Sequence, residues 1–167
     1  ILDEKQSSLK IPVIPALLIT SALHHRLISD NLRTKCNVIV NTASARDNHQ
    51  IACLIAFGAT CVHPWLGLQT ILKIARKNHS EMSSNDLCVS YRKCLNKGLL
   101  KIMSKMGISN VSSYRGSGLF EVIGFSDEVN KLCFPKNESL IKGDSFNDIH
   151  KNILHTISTD DNDVKIA

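Results

Sequence analysis

Two short β-branched runs, CNVIV at residues 36–40 and TCVHP at 60–64, bracket the helical stretch HQIACLIAFGA at 49–59, and no other feature limits the fold as tightly. A short apolar, β-branched run suits a strand buried on both faces, the usual state of a parallel strand. The polar segment NTASARDN supplies a loop with helix-capping residues, Gly58 supplies a helix stop, and Pro64 ends the second run. Strand, loop, helix and strand within about 30 residues make a βαβ unit with a right-handed crossover and parallel strands. The expected class is α/β.

The rest of the chain is arranged around this unit. Residues 1–10 are polar and expected to be a flexible entry, after which the prolines of IPVIP lead into a helix from Ala16 to Ser29. WLGLQTILKIARKN is a further helix, and the polar stretch 78–86 separates it from a long helix at 87–106 that ends at Gly107. ISNVSSY is expected to be extended and RGSGLFEVIG to open a helix. A last helix near 146–157, capped by Asp144 or Ser145, precedes a disordered acidic tail, 158–167. The long helix carries Leu95, Leu99, Ile102 and Met106 at helical spacing, the stripe of a helix buried on one side. Lys97, Lys101 and Lys105, with Lys93 before them, stack on one face, where like charges cost a few tenths of a kcal/mol per pair. Two readings stay open: a solvated face, or one that meets an anionic partner.

Composition narrows the partners. The chain has 167 residues, about one domain by length. Its formal charge of +5 is too mild to mark a nucleic-acid binder, and aromatics at 5% give few surfaces on which bases could stack. No apolar run approaches the roughly 20 residues of a membrane span. Neither nucleic acid nor membrane is therefore expected as a partner. Six cysteines, without the two-residue spacing of zinc or iron–sulfur ligands, are expected to be reduced core residues, which favours the cytoplasm, with a plastid as the alternative. The chain opens at Ile1, without a signal peptide, and is expected to be a piece of something longer.

Local motifs for chemistry are sparse. Adjacent helix positions point about 100° apart, so His24 and His25 cannot easily chelate one ion, and one is expected inward and the other outward. No nucleophile elbow is present, and the carboxylates are scattered. RGSG, 115–118, offers a Gly-x-Gly at an expected helix start, yet lacks the third glycine of the dinucleotide fingerprint and is read first as a tight turn. In barrels that bind flavin phosphate, a late strand is followed by a Gly-rich turn. Here the strand is followed by NTASARDNH, which has no glycine. The expected architecture is an incomplete, barrel-like arrangement of parallel strands and helices that does not bind the cofactor.

Three stretches converge on one family. IPALLITSALHHRLISDNLRTK, ARDNHQIACLIAFGATCVHPWLGLQTI and NKGLLKIMSKMGISNVSSYRGSGLFEVIGF together resemble the central domain of glutamate synthase, over about residues 11–157. The last is the most specific, with Lys97-Gly98-Leu99-Leu100-Lys101, Met103 to Ser109 and Ser113-Tyr114-Arg115-Gly116 in unbroken order. The chain departs from the family at Asn41, Ala43 and Ser44, at Gln50 after His49, at His63 and Trp65 around the proline, and at Ser117-Gly118. The resemblance implies a parent enzyme that makes glutamate from glutamine and 2-oxoglutarate. That parent would use FMN and an iron–sulfur cluster, take electrons from NAD(P)H through a small reductase subunit or from ferredoxin, and pass ammonia through an internal tunnel. It also implies that the catalytic, flavin and metal residues lie in adjoining glutaminase and FMN synthase domains, with none in this piece. This piece would then be a scaffold and part of the tunnel wall. On that reading Lys97, Lys101, Lys105 and Arg115 meet adjoining domains of the same chain. The alternative is a free-standing phosphate- or polyanion-binding module that uses the same four residues.

Overall fold

A computed structural model describes residues 1–5, 11–79, 81–137 and 139–163, the stretch 158–163 as backbone only. The βαβ unit is present. Its strands are β2 (Ile39–Asn41) and β3 (Cys61–His63), joined through helix α2 (Asn48–Ala56). A third strand, β1 (Leu2–Asp3), completes a parallel sheet in the order β1-β2-β3. The register aligns Leu2 with Val40 and Val62, and Asp3 with Asn41 and His63. The sheet does not close on itself, so the architecture is an incomplete α/β arrangement.

Local chemistry explains the ends of α2. The Asp47 carboxylate accepts from the Gln50 N–H at 2.8 Å while the Gln50 side chain accepts from the Asp47 N–H at 3.3 Å, a capping box. At the other end Gly58 takes φ +123°, letting the Ala59 N–H turn back to the Leu54 carbonyl at 2.9 Å. Helix α1 (Ala16–Ser29) and helix α4 (Ser84–Lys105) pack with α2 around one core, in which Val38, Val40, Ala52, Leu54, Leu99, Met103 and Tyr114 are buried. Gly98 of α4 leaves room for the Asn48 amide at the head of α2. Helix α3 (Trp65–Lys77) lies against α4.

A second cluster ties α1 to helix α6 (Asp127–Cys133) through Leu18, Val122, Val129, Cys133 and Phe134. The Ser21 hydroxyl donates to the Cys133 carbonyl, and the Phe57 and Phe134 rings meet edge to face at 5.0 Å. Burial of Ser21 and Thr20 inside α1 is tolerated because both hydroxyls find backbone carbonyls, Thr20 that of Ala16.

Several expectations are corrected. The β2 strand is covered on one face only: Val40 is 1% exposed but Ile39 is 37% exposed. The expected flexible entry contributes β1, while its residues 6–10 lie outside the described ones. The segment expected to be extended contains a single helical turn, α5 (Val111–Tyr114), because Asn110 accepts from the Ser112 N–H at 2.9 Å and caps it. RGSGLFEVIG opens no helix, since Gly116, Gly118 and Gly124 all take positive φ; the next helix is α6, capped by Ser126. Ser145, not Asp144, shares the capping bonds with Asp148 at the start of helix α7 (Phe146–Asp163). That helix runs on into the segment expected to be a disordered tail, whose residues 164–167 lie outside the described ones. Of the six cysteines only Cys133 is buried.

Candidate functional site

The long helix presents its lysines as the spacing predicts. Lys93, Lys97, Lys101 and Lys105 are exposed, and none of them forms an ion pair with another described residue. The inward stripe differs by one position. Leu99 and Met103 are buried, whereas Met106 is the exposed residue that ends the helix. Arg115 belongs elsewhere. It is half-buried, and its Nε donates to the Ala59 carbonyl at 3.2 Å, so it braces the junction between α2 and β3. Burial, and then the charge of Arg33, lower its pKa.

The uncovered face of the sheet carries a polar ladder that crosses all three strands. Asn41 donates its amide to the Asp3 carboxylate at 2.8 Å and accepts from His63 Nδ1 at 2.6 Å. A carboxylate can only accept, which sets the Asn41 amide with its nitrogen toward Asp3 and its oxygen toward His63. That oxygen in turn fixes the proton on Nδ1 and leaves Nε2 of His63 as the free ring nitrogen. The Asp3 pKa is lowered, first by the Lys5 N–H and then by Asn41. Ile39 and Cys61, paired in register, flank the ladder and are exposed. Asn41 and His63 are two of the positions at which the chain departs from the family pattern. The sequence did not indicate the ladder, because neither the strand in residues 1–5 nor the register was legible.

A third group of residues joins α1 to the turn after α2 at Gly58. His24 is 7% exposed, and its Nδ1 accepts from Arg33 Nε at 2.9 Å. Arg33 also donates to the carbonyls of Cys36 and Gly58, each at 2.9 Å. Burial, followed by the charges of Arg33, His25, Lys136 and Arg115, pushes the His24 pKa down to about 4, so the ring is neutral. His25 does not turn fully outward: it is half-buried, with its ring centroid 5.3 Å from that of His24.

None of these groups assembles a reaction centre. Among the described residues no three His, Cys, Asp or Glu side chains converge on a point that could hold a metal ion. The loop that would receive a flavin phosphate, 41–49, has no glycine, and the helix N-terminus behind it is already capped by the Asp47 carboxylate, so these residues do not fit a phosphate. No described helix is long and apolar enough to cross a membrane.

Comparison with known proteins gives this domain its family. The family model for the glutamate synthase central domain matches residues 1–126. The glutamate synthase (NADPH) large chain of Azospirillum brasilense is 43% identical over 155 residues, covering 92% of this chain and 10% of that protein. The corresponding large chain of Bacillus subtilis is 38% identical, over 86% of this chain and 9% of the relative. A ferredoxin-dependent glutamate synthase of Pyropia yezoensis is 34% identical, over 99% of this chain and 12% of the relative. The chain thus spans 9% to 12% of the length of these three relatives. On this evidence the chain belongs to the glutamate synthase central-domain family.

Proposed function

We propose that this chain is the non-catalytic connecting domain of a glutamate synthase, holding a glutaminase domain and an FMN synthase domain in register and walling part of the ammonia passage between them. The observation that carries the reading is the one-sided sheet. One face is packed by helices, while the other shows a hydrogen-bonded polar ladder, Asp3–Asn41–His63, beside apolar Ile39. Asp3, the carboxylate of the ladder, is already held by the Lys5 N–H and the Asn41 amide, and a face whose polar groups are hydrogen-bonded in this way suits a surface that another part of a longer chain covers.

Lys97, Lys101, Lys105 and Arg115 are proposed as contacts to those adjoining domains, with the three lysines at the contact and Arg115 acting through the α2–β3 junction that it braces. FMN and the iron–sulfur cluster are assigned to the parent chain, outside this segment. Electrons would reach the parent from a reductase subunit or from ferredoxin, in the cytoplasm or a plastid. A free-standing polyanion module has less support, because Arg115 already donates to the Ala59 carbonyl.

The test uses the full-length chain with His63→Leu and Asn41→Leu. Glutamate formation from glutamine is expected to fall while formation from added ammonia is retained, because only the transfer between sites is disturbed. If both fall together, or neither changes, the passage reading is wrong.

A further inference from the structure

Helix α4 forms one wall of a groove of about 480 Å³, and residues of α2, β3 and α3 form the others. We propose that this groove is a binding site for one unbranched fatty acid, held as its carboxylate. The inference does not rest on the connecting-domain reading.

Shape sets the ligand class. The lining residues of α4 run from Asn85 to Leu99, which at about 1.5 Å per residue is a length of about 20 Å. The volume falls in the range of small-molecule sites, roughly 300–1,000 Å³. Drawn out over that length, it leaves a cross-section near that of one extended hydrocarbon chain and too thin for a fused ring system. Ile51 and Ile55 of α2 and Leu99 of α4 are buried side chains of this lining. Val62, Leu68, Val89 and Leu95 complete its apolar part. Water along such walls finds few polar partners, so an alkyl chain displaces it favourably.

Charge sets the head group. Among the lining residues Arg92 carries the one fixed charge, no Asp or Glu is present, and Arg92 forms no ion pair with a described residue. Asn85 and Asn96, which also line the groove from α4, offer amide donors to the same carboxylate end. Arg92 precedes Leu99 by seven residues, about 10 Å along the helix axis, so a carboxylate at Arg92 can lay a medium-length tail against Leu95 and Leu99. The exposed Lys93 beside Arg92 adds to the attraction for an anion.

The experiment uses the 167-residue chain with octanoate, decanoate and dodecanoate, each below its micelle-forming concentration. Calorimetry is expected to show one site, tightened about threefold by each added CH₂ until the groove is full. Cys61 and Cys88 line the groove whereas Cys36 and Cys94 do not, so decanoate should slow alkylation of the first pair alone. Arg92→Met, at an exposed position, should weaken decanoate binding about threefold and leave decanol binding unchanged. Binding without chain-length dependence, equal protection of all four thiols, or full decanoate affinity in Arg92→Met would overturn the proposal. So would light scattering that shows a dimer in which both groove thiols are already shielded, since a second copy would then be the occupant.

Discussion

Helices α2 and α3 each follow a strand of the same sheet, yet they have opposite fates. The nine residues of α2 bury five side chains, whereas the thirteen residues of α3 bury none. The difference is not one of apolar content or pattern, for α3 carries Trp65, Leu66, Leu68, Ile71, Leu72 and Ile74 at helical spacing. It is one of neighbours. Helix α2 is enclosed by the sheet, α1 and α4, while α3 meets α4, coming close at Gly67, where an added Cβ would lie 2.5 Å from the Tyr91 hydroxyl. Leu66 and Ile74 remain 38% and 52% exposed. A stripe becomes core only where the rest of the fold supplies a second surface.

The sharpest way to break this contrast is to truncate one leucine or isoleucine in each helix. Leu54→Ala in α2 should cost about 3 kcal/mol, and Ile71→Ala in α3 less than about 1 kcal/mol, because only the first leaves an enclosed cavity. Urea melts of both variants would show it; equal losses would mean that α3 is as firmly seated as α2.

Glycines test the same division. Gly58 takes φ +123°, and a Cβ there would lie 2.5 Å from that of His24, so Gly58→Ala should cost more than about 2 kcal/mol. Gly107, at φ +71° with open space around it, should cost about 1 kcal/mol on the same change. Thermal melts that rank the two the other way would refute the tight packing at His24.

Acidification separates inside from outside by the pH at which stability is lost. His24 has a pKa near 4 when folded and an ordinary value of 6.5 when unfolded. Between those values the unfolded chain binds more protons, so stability rises with pH across that window and is lost as pH falls through it, by on the order of 2 kcal/mol. His25, also lowered by burial, acts in the same direction. Asp3, Asp127 and Asp148 are exposed with lowered pKa values, so their contribution is present above the usual carboxylate range and disappears only as pH falls below it. Denaturant melts between pH 4 and 7, together with an imidazole NMR titration, would check this; a flat profile would mean that His24 is freely solvated.

The smallest effect belongs to the lysine row. Lys101→Glu should leave the isolated chain unchanged or more stable by a few tenths of a kcal/mol, since it relieves exposed like-charge pairs on α4. In the full-length chain the same change should weaken the coupling of glutamine use to glutamate formation. A loss of several kcal/mol in the fragment would reveal a structural network, and an indifferent full-length chain would leave only a solvated face.

What the sequence made legible was local. CNVIV, the capping loop and Gly58 specify the βαβ unit through neighbours a few residues apart, and the helix from Ala16 to Ser29 has the predicted bounds. The polar ladder was not legible, because Asp3 joins Asn41 across 38 positions through a strand of two residues. Met103 and Met106 both fit a helical stripe, and only the position of α2 decides which one turns inward. Arg115 stands with the lysines through the motif they share, while its partner, the Ala59 carbonyl, carries no side-chain signal.

The brevity of the strands protects the chain from self-association. A parallel sheet that ends in the open presents unpaired N–H and C=O groups, and a long row of them recruits strands from other molecules, the first step toward fibrils. Here the two outer strands are Leu2–Asp3 and Cys61–His63, each too short to template the addition of a foreign strand. An unfinished sheet can therefore stay unpaired at its margins without becoming a seed for aggregation.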